Sequence, residues 1–241
     1  MNKYLLKITL KSEAIFNSGE EEQNLVNDKV LADELGFVYF HGKTLKGQLR
    51  KKAKWIEEKI EKIKGKEGVK PFKQSIIKLF GSEFGGGKEQ LEESSQIVIP
   101  SQRGIMTITN LELPKNIRDY FKNINDYKDE DYKITPYDMI KAQTQKRTRI
   151  QIKESGTVEN GMMMTYHTVK DGLVFYSEIG FLERIDFKDL ISLNIVVKSL
   201  DSIGSSINRG RGKIKAELLN ENCKLIKEIE NVDCLEVLLG E

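Results

Sequence analysis

The feature of this sequence that most restricts its fold is the changing spacing of apolar residues along the chain. Apolar side chains take alternate positions from Tyr4 to Leu10, which is the period of a half-buried β-strand. They recur every three or four residues from Leu45 to Ile63, which is the period of an amphipathic helix. Strand and helix patterns then follow one another again in the second half of the chain. An α+β fold is therefore expected.

Glycine and proline mark the ends of the remaining elements. Gly65 and Gly68 are expected to end the first helix, and Pro71 is expected to open a second one that stops at Gly81. The further elements predicted from apolar runs are strands at Leu35–Phe40, Ile97–Ile99, Ile105–Ile108, Thr148–Ile152, Met162–Val169, Leu173–Leu182 and Ile214–Leu219, a turn around Gly156, and a helix at Phe187–Leu200.

Residues 110–147 are mostly polar with short helical patches, which is typical of an insertion. Without the insertion, the element order is β-α-β-β-α-β, the ferredoxin-like (RRM-like) arrangement, with a large insertion between core strands two and three. We expect a single domain with a core at 1–108 and 171–220, an insertion or thumb at 109–170, and a C-terminal extension at 221–241. Such sheets leave one face free of helices, and that face often receives RNA.

Composition argues against several other classes of protein. No stretch approaches the roughly 18 uninterrupted apolar residues of a membrane span, and the N-terminus has the pattern of a strand, not of a signal peptide. The only cysteines are Cys223 and Cys234, without a CxxC pair, which argues against structural zinc. A disulfide between them stays open, but a reduced pair in a cytoplasmic protein is favoured.

Basic residues are grouped along the chain, although its formal net charge is only +2. Three groups without an acidic residue are Lys43, Lys46, Arg50, Lys51, Lys52 and Lys54; Lys141, Lys146, Arg147, Arg149 and Lys153; and Arg209, Arg211, Lys213 and Lys215. Grouped charge favours a basic face that binds a polyanion. Three separate solvated surfaces would produce the same pattern.

The segment 203–213 combines residues that suit phosphate binding. Its three glycines and two arginines are Gly204, Gly210, Gly212, Arg209 and Arg211. Glycines with positive φ let backbone N–H groups approach an anion, and arginine adds bidentate contacts. The segment is not a Walker motif. It is interpreted as a phosphate or RNA contact, with an ordinary solvated loop as the alternative.

A second candidate phosphate site lies where the segment Phe40–Arg50 passes from a predicted strand into a helix. The N–H groups of a helix N-terminus bind anions readily. Lys43, Lys46 and Arg50 are spaced three and four apart, so they share one face of that helix. The alternative is a soluble helix capped by Thr44.

Four short motifs in this order resemble the RAMP superfamily of CRISPR proteins, and most closely the backbone subunits of type III effector complexes. They are Gly42–Gly47 with Arg50, Leu79–Gly81, Arg147–Arg149, and Gly204 followed by Asn208–Gly212. The resemblance implies a subunit that coats the guide RNA, meets target RNA, and assembles with other effector subunits and further copies of itself. The residues expected to bind RNA are Lys43, Thr44, Lys46, Arg50, Lys51, Arg147, Arg149, Gly204, Asn208, Arg209, Gly210, Arg211 and Gly212.

The family also implies a β-hairpin thumb that wedges into the guide–target duplex. The segment Arg147–Val169 is the candidate, because it carries two arginines and then Met162–Met164, whose side chains can pack under a displaced base. A plain core hairpin is the alternative for the methionines.

In the backbone subunits an aspartate ahead of the first motif supports metal-dependent cleavage of target RNA. Asp28 matches that position, as catalytic residue and as ligand of Mg²⁺ or Mn²⁺, and Asp33 competes with it. Two other interpretations stay open. His41 would serve as general acid or base in a RAMP endonuclease that processes precursor guide RNA, and a non-catalytic structural subunit would need neither residue.

Overall fold

The computed structural model describes residues 3–19, 29–82, 103–127, 133–152 and 158–226. The elements in chain order are β1 (Tyr4–Leu10), α1 (Gly42–Phe80), β2 (Met106–Ile108), α2 (Lys115–Tyr127), α3 (Pro136–Gln143), β3 (Thr144–Ile152), β4 (Val158–Val169), β5 (Val174–Phe181), α4 (Phe187–Ser199) and β6 (Ile214–Asn220). The expected mixture of helices and strands is therefore present. The predicted strand at Ile97–Ile99 and the turn around Gly156 lie outside the described residues.

Four strands form an antiparallel sheet in the order β2-β5-β1-β6. Alternate residues of β1, namely Leu6, Ile8 and Leu10, are buried beneath α1 and α4, which pack against each other. This core positions the connections at both ends of the sheet. In the described part of the chain, no helix has the length and apolar character needed to cross a membrane.

The opposite face of the sheet carries paired charges. Glu217 forms ion pairs with Lys7 at 3.2 Å and with Lys215 at 2.6 Å, and Lys3 pairs with Glu178 at 3.4 Å. Because carboxylates already pair with these lysines, and because Lys115 and Arg118 of α2 line a pocket with Leu5 of the helix-free face, this face offers less for RNA than the sequence suggested.

Helix α1 consists of two arms that meet at Gly65. This residue has φ 73° and ψ −177°, a conformation open mainly to glycine, so the helix breaks there as predicted. The arms run back along each other, and the Glu57 carboxylate of the first pairs with Lys73 of the second at 3.1 Å. The second arm begins earlier than predicted, with Gly68 and Pro71 inside it.

The predicted strand at Leu35–Phe40 is wrong. Only single bridges form in this segment, at Val38 and Phe40. A turn replaces the strand because the Asp33 side chain accepts a hydrogen bond from the Phe37 N–H at 2.8 Å.

Strands β3 and β4 form a separate two-stranded antiparallel sheet, a hairpin. Both begin earlier than predicted, at Thr144 and Val158. The base of the hairpin is tied to the core by a bridge between Val169 and Ala14. The hairpin, together with α2 and α3, lies between β2 and β5 in the chain.

Candidate nucleic-acid interface

One side of the first arm of α1 borders a basic cleft of about 500 Å³. Lys43, Lys46 and Arg50 line it together with Arg103, and none of the described residues that line it is acidic. The cleft also includes Gly81, so it joins the first two motifs. Arg103 was missed from the sequence because it stands alone, outside any basic group.

Hydrogen bonds hold two of these cations in place. Lys46 donates from Nζ to the Met106 carbonyl oxygen at 2.6 Å, and Arg50 donates from Nη2 to the Gly81 carbonyl oxygen at 2.8 Å. Burial lowers the pKa of Lys46, and the neighbouring positive charges of Arg50 and Arg103 lower it further. The cleft therefore holds positive charge that a phosphate group would stabilise.

The start of α1 packs closely against the segment after β2. The Gly42 N–H donates to Asn110 Oδ1 at 3.0 Å, and a Cβ on Gly42 would come closer than 3.0 Å to the Thr109 carbonyl. The cap position belongs to His41, without a side-chain hydrogen bond, so the interpretation of Thr44 as the cap is wrong. Thr44 instead lies exposed in the first turn.

The glycine- and arginine-rich loop, residues 203–213, wraps the segment that follows β1. The Gly212 N–H donates to the Glu13 carbonyl oxygen at 2.7 Å, and the Ser205 N–H donates to the Ile15 carbonyl oxygen at 3.1 Å. Gly204, Gly210 and Gly212 have φ of 85°, 77° and 68°, as their residue type predicts.

The tip of this loop is a short 3₁₀ turn, Ile207–Arg209. Asn208 and Arg209 are exposed there, and no carboxylate pairs with Arg209 among the residues that the structure describes. Arg209 is therefore the loop arginine that is available to a ligand.

Arg211 and Arg147, which are far apart in sequence, meet at one carboxylate. Arg211 Nη1 lies 2.6 Å from Glu13 Oε2, and Arg147 donates to the same carboxylate from Nε at 3.2 Å and from Nη2. Arg211 also donates to the Tyr166 hydroxyl at 3.1 Å. Hydrogen bonding by Arg147 is the main cause that lowers the pKa of Glu13 to about 2. The sequence had no signal for Glu13 or Tyr166.

The loop and the basic cleft lie on the two flanks of α1. The Phe16 and Phe40 rings, 4.9 Å apart, join the segment under the loop to the residue before α1. On the cleft side Lys46 contacts β2, whereas on the loop side Lys52 Nζ lies 3.1 Å from Asp201 Oδ2. We call the exposed side chains between these flanks the basic ridge; they are Lys43, Thr44, Lys51 and Lys54. The basic group on α1 and the basic group of the loop are thus neighbours in the fold.

The remaining cations lie on the hairpin. Arg149 is exposed and donates from Nη2 to Met164 Sδ at 3.1 Å, and Lys146 is exposed on the same strand. The side chains of Met162 and Met163 lie outside the described residues.

Asp28, the predicted metal ligand, lies outside the described residues. Its competitor Asp33 already accepts hydrogen bonds from Leu35, Phe37 and Arg118, which makes it a turn residue. Within the described ranges, no group of three or more His, Cys, Asp or Glu side chains could hold a metal ion. His41 is exposed, with its ring 5.3 Å from that of Tyr39.

Solved structures share this fold. A chain in the cryo-EM structure of the type III-B Cmr-beta complex bound to cognate target RNA matches with a TM-score of 0.58 and 12% identity, over 90% of this chain and 96% of that one. A chain in the apo-state structure of Cmr-beta matches with a TM-score of 0.57 and 14% identity, over the same shares. At such identities the likeness establishes the fold alone.

A family model is more specific than the structural likeness. No curated protein sequence matches this chain. The model described as RAMP superfamily, however, matches residues 7–215, a span that contains all four motifs. The resemblance predicted from those motifs is confirmed: the chain belongs to the RAMP superfamily.

Proposed function

We propose that this chain is a guide-RNA-binding subunit of a type III CRISPR ribonucleoprotein. In such an assembly it coats the guide, meets the target RNA, and contacts other effector subunits, including further copies of itself. The family membership and the likeness to Cmr-beta chains support this assignment.

The observation that carries the proposal is the basic cleft on one flank of α1 together with the base of the glycine- and arginine-rich loop, which carries the exposed Arg209, on the other flank. Cations on both flanks of one helix suit a chain of phosphates that crosses its first turns. Such contacts fix the position of a strand and do not read its sequence. This matches the need of a guide-coating subunit to accept any spacer sequence.

We assign the core to the ferredoxin-like arrangement. The strand order β2-β5-β1-β6, with α1 and α4 on one face, supports this assignment. The segment from α2 to β4 is then the insertion between core strands two and three, within a single RAMP domain.

We assign the β3–β4 hairpin as the thumb. Its Arg147 and the loop residue Arg211 both bind the Glu13 carboxylate, so the hairpin and the loop proposed to contact the guide are fixed to the same residue. An exposed Ile150, with 52% of its surface accessible, gives the hairpin an apolar side chain to insert beside a base.

The chemistry proposed for this subunit is metal-dependent cleavage of target RNA, with Asp28 as ligand of Mg²⁺ or Mn²⁺. Asp28→Asn is expected to abolish target cleavage in the assembled complex while guide binding stays unchanged. Cleavage that persists in this variant contradicts the assignment. Cleavage that is absent from the wild-type complex, together with RNA binding unaffected by EDTA, would establish a structural subunit.

The rival function is processing of precursor guide RNA, and it is favoured by one observation: His41 is exposed beside the cleft residue Lys43. His41→Ala separates the two functions. Loss of precursor cleavage in this variant identifies the processing enzyme, whereas unchanged precursor cleavage supports the effector subunit.

The experiment that tests the main proposal is purification of the full chain from its native host, followed by sequencing of the RNA that accompanies it. Guides that carry a repeat-derived tag are expected. Material without bound RNA, which also fails to bind added single-stranded RNA, would refute the proposal.

A further inference from the structure

The first arm of α1 has a lysine-rich flank that adjoins the basic ridge and shares Lys51 with it. Lys51, Lys52, Trp55, Lys59 and Lys62 follow one another at helical spacings that place them on one side of the arm. The acidic residues of the arm lie elsewhere: Glu57 pairs with Lys73 of the second arm, Glu61 lies on that other side, and Glu58 borders the flank.

Trp55 is the only tryptophan of the chain, and it stands in the middle of this flank with 51% of its surface accessible. Two ammonium groups lie near its ring, Lys52 Nζ at 5.1 Å and Lys59 Nζ at 5.4 Å from the centroid. These cations are attracted by the negative face of the indole. A large aromatic ring is therefore displayed to solvent between positive charges.

Trp55 lies near the base of the glycine- and arginine-rich loop. Lys52, three residues before it, binds Asp201 at 3.1 Å, and the Asp201 carbonyl accepts a hydrogen bond from the Ile214 N–H at 2.9 Å. Ser202 forms a bridge with Lys213 beside it. The base of the loop thus lies next to the flank, within about one helical turn of Trp55.

We propose that Trp55 is a stacking platform for a nucleobase of the single-stranded RNA held by this loop. The inference rests on the proposed function and extends it by one binding site. An aromatic side chain stacks on any base, because every base has a π face, and cations beside it bind the flanking phosphates.

The two lysines divide this work. Lys52 stays bound to Asp201, whereas Lys59 is exposed and has only its ring contact in the described part of the chain. A base that stacks on the indole displaces the Lys59 ammonium, which then contacts the phosphate of that nucleotide. An exposed aromatic ring between cations is the combination that binds bases and phosphates together, so the flank favours RNA.

The single tryptophan makes the test direct, because fluorescence excited beyond the absorption of the tyrosines reports on Trp55 alone. The full chain is titrated with unlabelled oligouridylate and, separately, with inorganic polyphosphate. Stacking is expected to quench the emission with oligouridylate, whereas polyphosphate binds without quenching. Trp55→Ala is expected to weaken oligouridylate binding by about five- to tenfold, and Trp55→Phe to retain most of the affinity.

Tyr120→Ala is the matched control, since Tyr120 is an aromatic residue with 60% of its surface accessible on α2. Oligouridylate binding that leaves the emission unchanged, with equal affinity in Trp55→Ala, overturns the stacking site and leaves the proposed function intact. If the folded wild-type chain binds no RNA at all, both proposals fail.

Discussion

The Arg50 guanidinium donates a hydrogen bond of 2.8 Å to the carbonyl oxygen of Gly81 and so links the two arms of α1. One residue thus closes the helical hairpin and lines the basic cleft. Its replacement would disturb folding and ligand binding together. A clean test of RNA binding therefore needs cations without a structural bond.

Arg209→Ala is expected to weaken binding of all single-stranded RNAs alike. The slope of log affinity against log salt concentration should become less steep by roughly 0.7 for each phosphate that is no longer neutralised. Because the side chain is exposed, the free energy of unfolding should change by less than about 0.5 kcal/mol. A salt titration of RNA affinity checks this, with Lys122→Ala as a control that removes one exposed charge from α2. Equal salt slopes in wild type and Arg209→Ala would contradict a phosphate contact.

Glu13→Gln is expected to strengthen RNA binding several-fold, because the substitution removes the carboxylate that neutralises Arg147 and Arg211. Glu217→Gln, which frees Lys7 and Lys215 on the other face of the sheet, should have little effect. Filter binding at fixed salt compares the variants. An unchanged affinity in Glu13→Gln would mean that neither arginine reaches RNA.

Glu13 also makes the free energy of unfolding depend on pH. Its pKa is lowered from 4.5 to about 2, so its stabilising contribution is complete above pH 4.5 and is lost as the pH falls toward 2. The contribution should be on the order of 1–2 kcal/mol, since Arg147 is partly solvated. Denaturant unfolding at several pH values checks this, and Glu13→Gln should flatten the profile in that range.

RNA affinity is expected to fall at alkaline pH through Lys46. Its pKa lies below the ordinary 10.5, so as the pH rises it becomes neutral before the solvated lysines do and then attracts phosphate less strongly. Lys46→Arg should remove this fall, because arginine stays charged. Identical pH profiles in the two proteins would exclude Lys46 from the interface.

Two glycines of the first motif should respond oppositely to alanine. Gly42→Ala is expected to destabilise the fold by about 2–3 kcal/mol, because its Cβ would collide with the Thr109 carbonyl. Gly47→Ala should stabilise it by about 0.5–1 kcal/mol, because open space surrounds that helical position. Thermal unfolding measures both. A lower RNA affinity in the more stable Gly47→Ala would indicate that RNA passes close to this residue.

Local patterns in the sequence predicted much of the fold. The alternation in β1 survives in the structure, because the strand buries one apolar face. Helix α4 forms where its apolar spacing predicts, although its buried residues surround the helix and include Asp189, Ser192 and Asn194. The turn at Asp33 was missed, since a side-chain hydrogen bond outweighs a short apolar run. The reversal at Gly65 was predicted only as an end, because the contact between Glu57 and Lys73 is tertiary.

The sequence likewise predicted only those parts of the candidate site that lie close together along the chain. Glycines and arginines close together in sequence mark the loop, whereas the contributions of Arg103 and Glu13 come from segments that only the fold brings together. The joining of Arg147 to Arg211 through Glu13 depends on separations of 134 and 198 positions, which no local motif can show.

Strand β1 lies between β5 and β6, with Tyr4 opposite Ile179 on one side and Asn220 on the other. During translation, at about 5–20 residues per second, the first strand therefore waits roughly 10–40 seconds for its last neighbour. Until then the edge of β1 that later pairs with β6 is unpaired, and other chains can join it. A nascent chain that stops before Ile214 has the loop but not the strand that follows it, so the loop is expected to reach its final position only after β6 has been made.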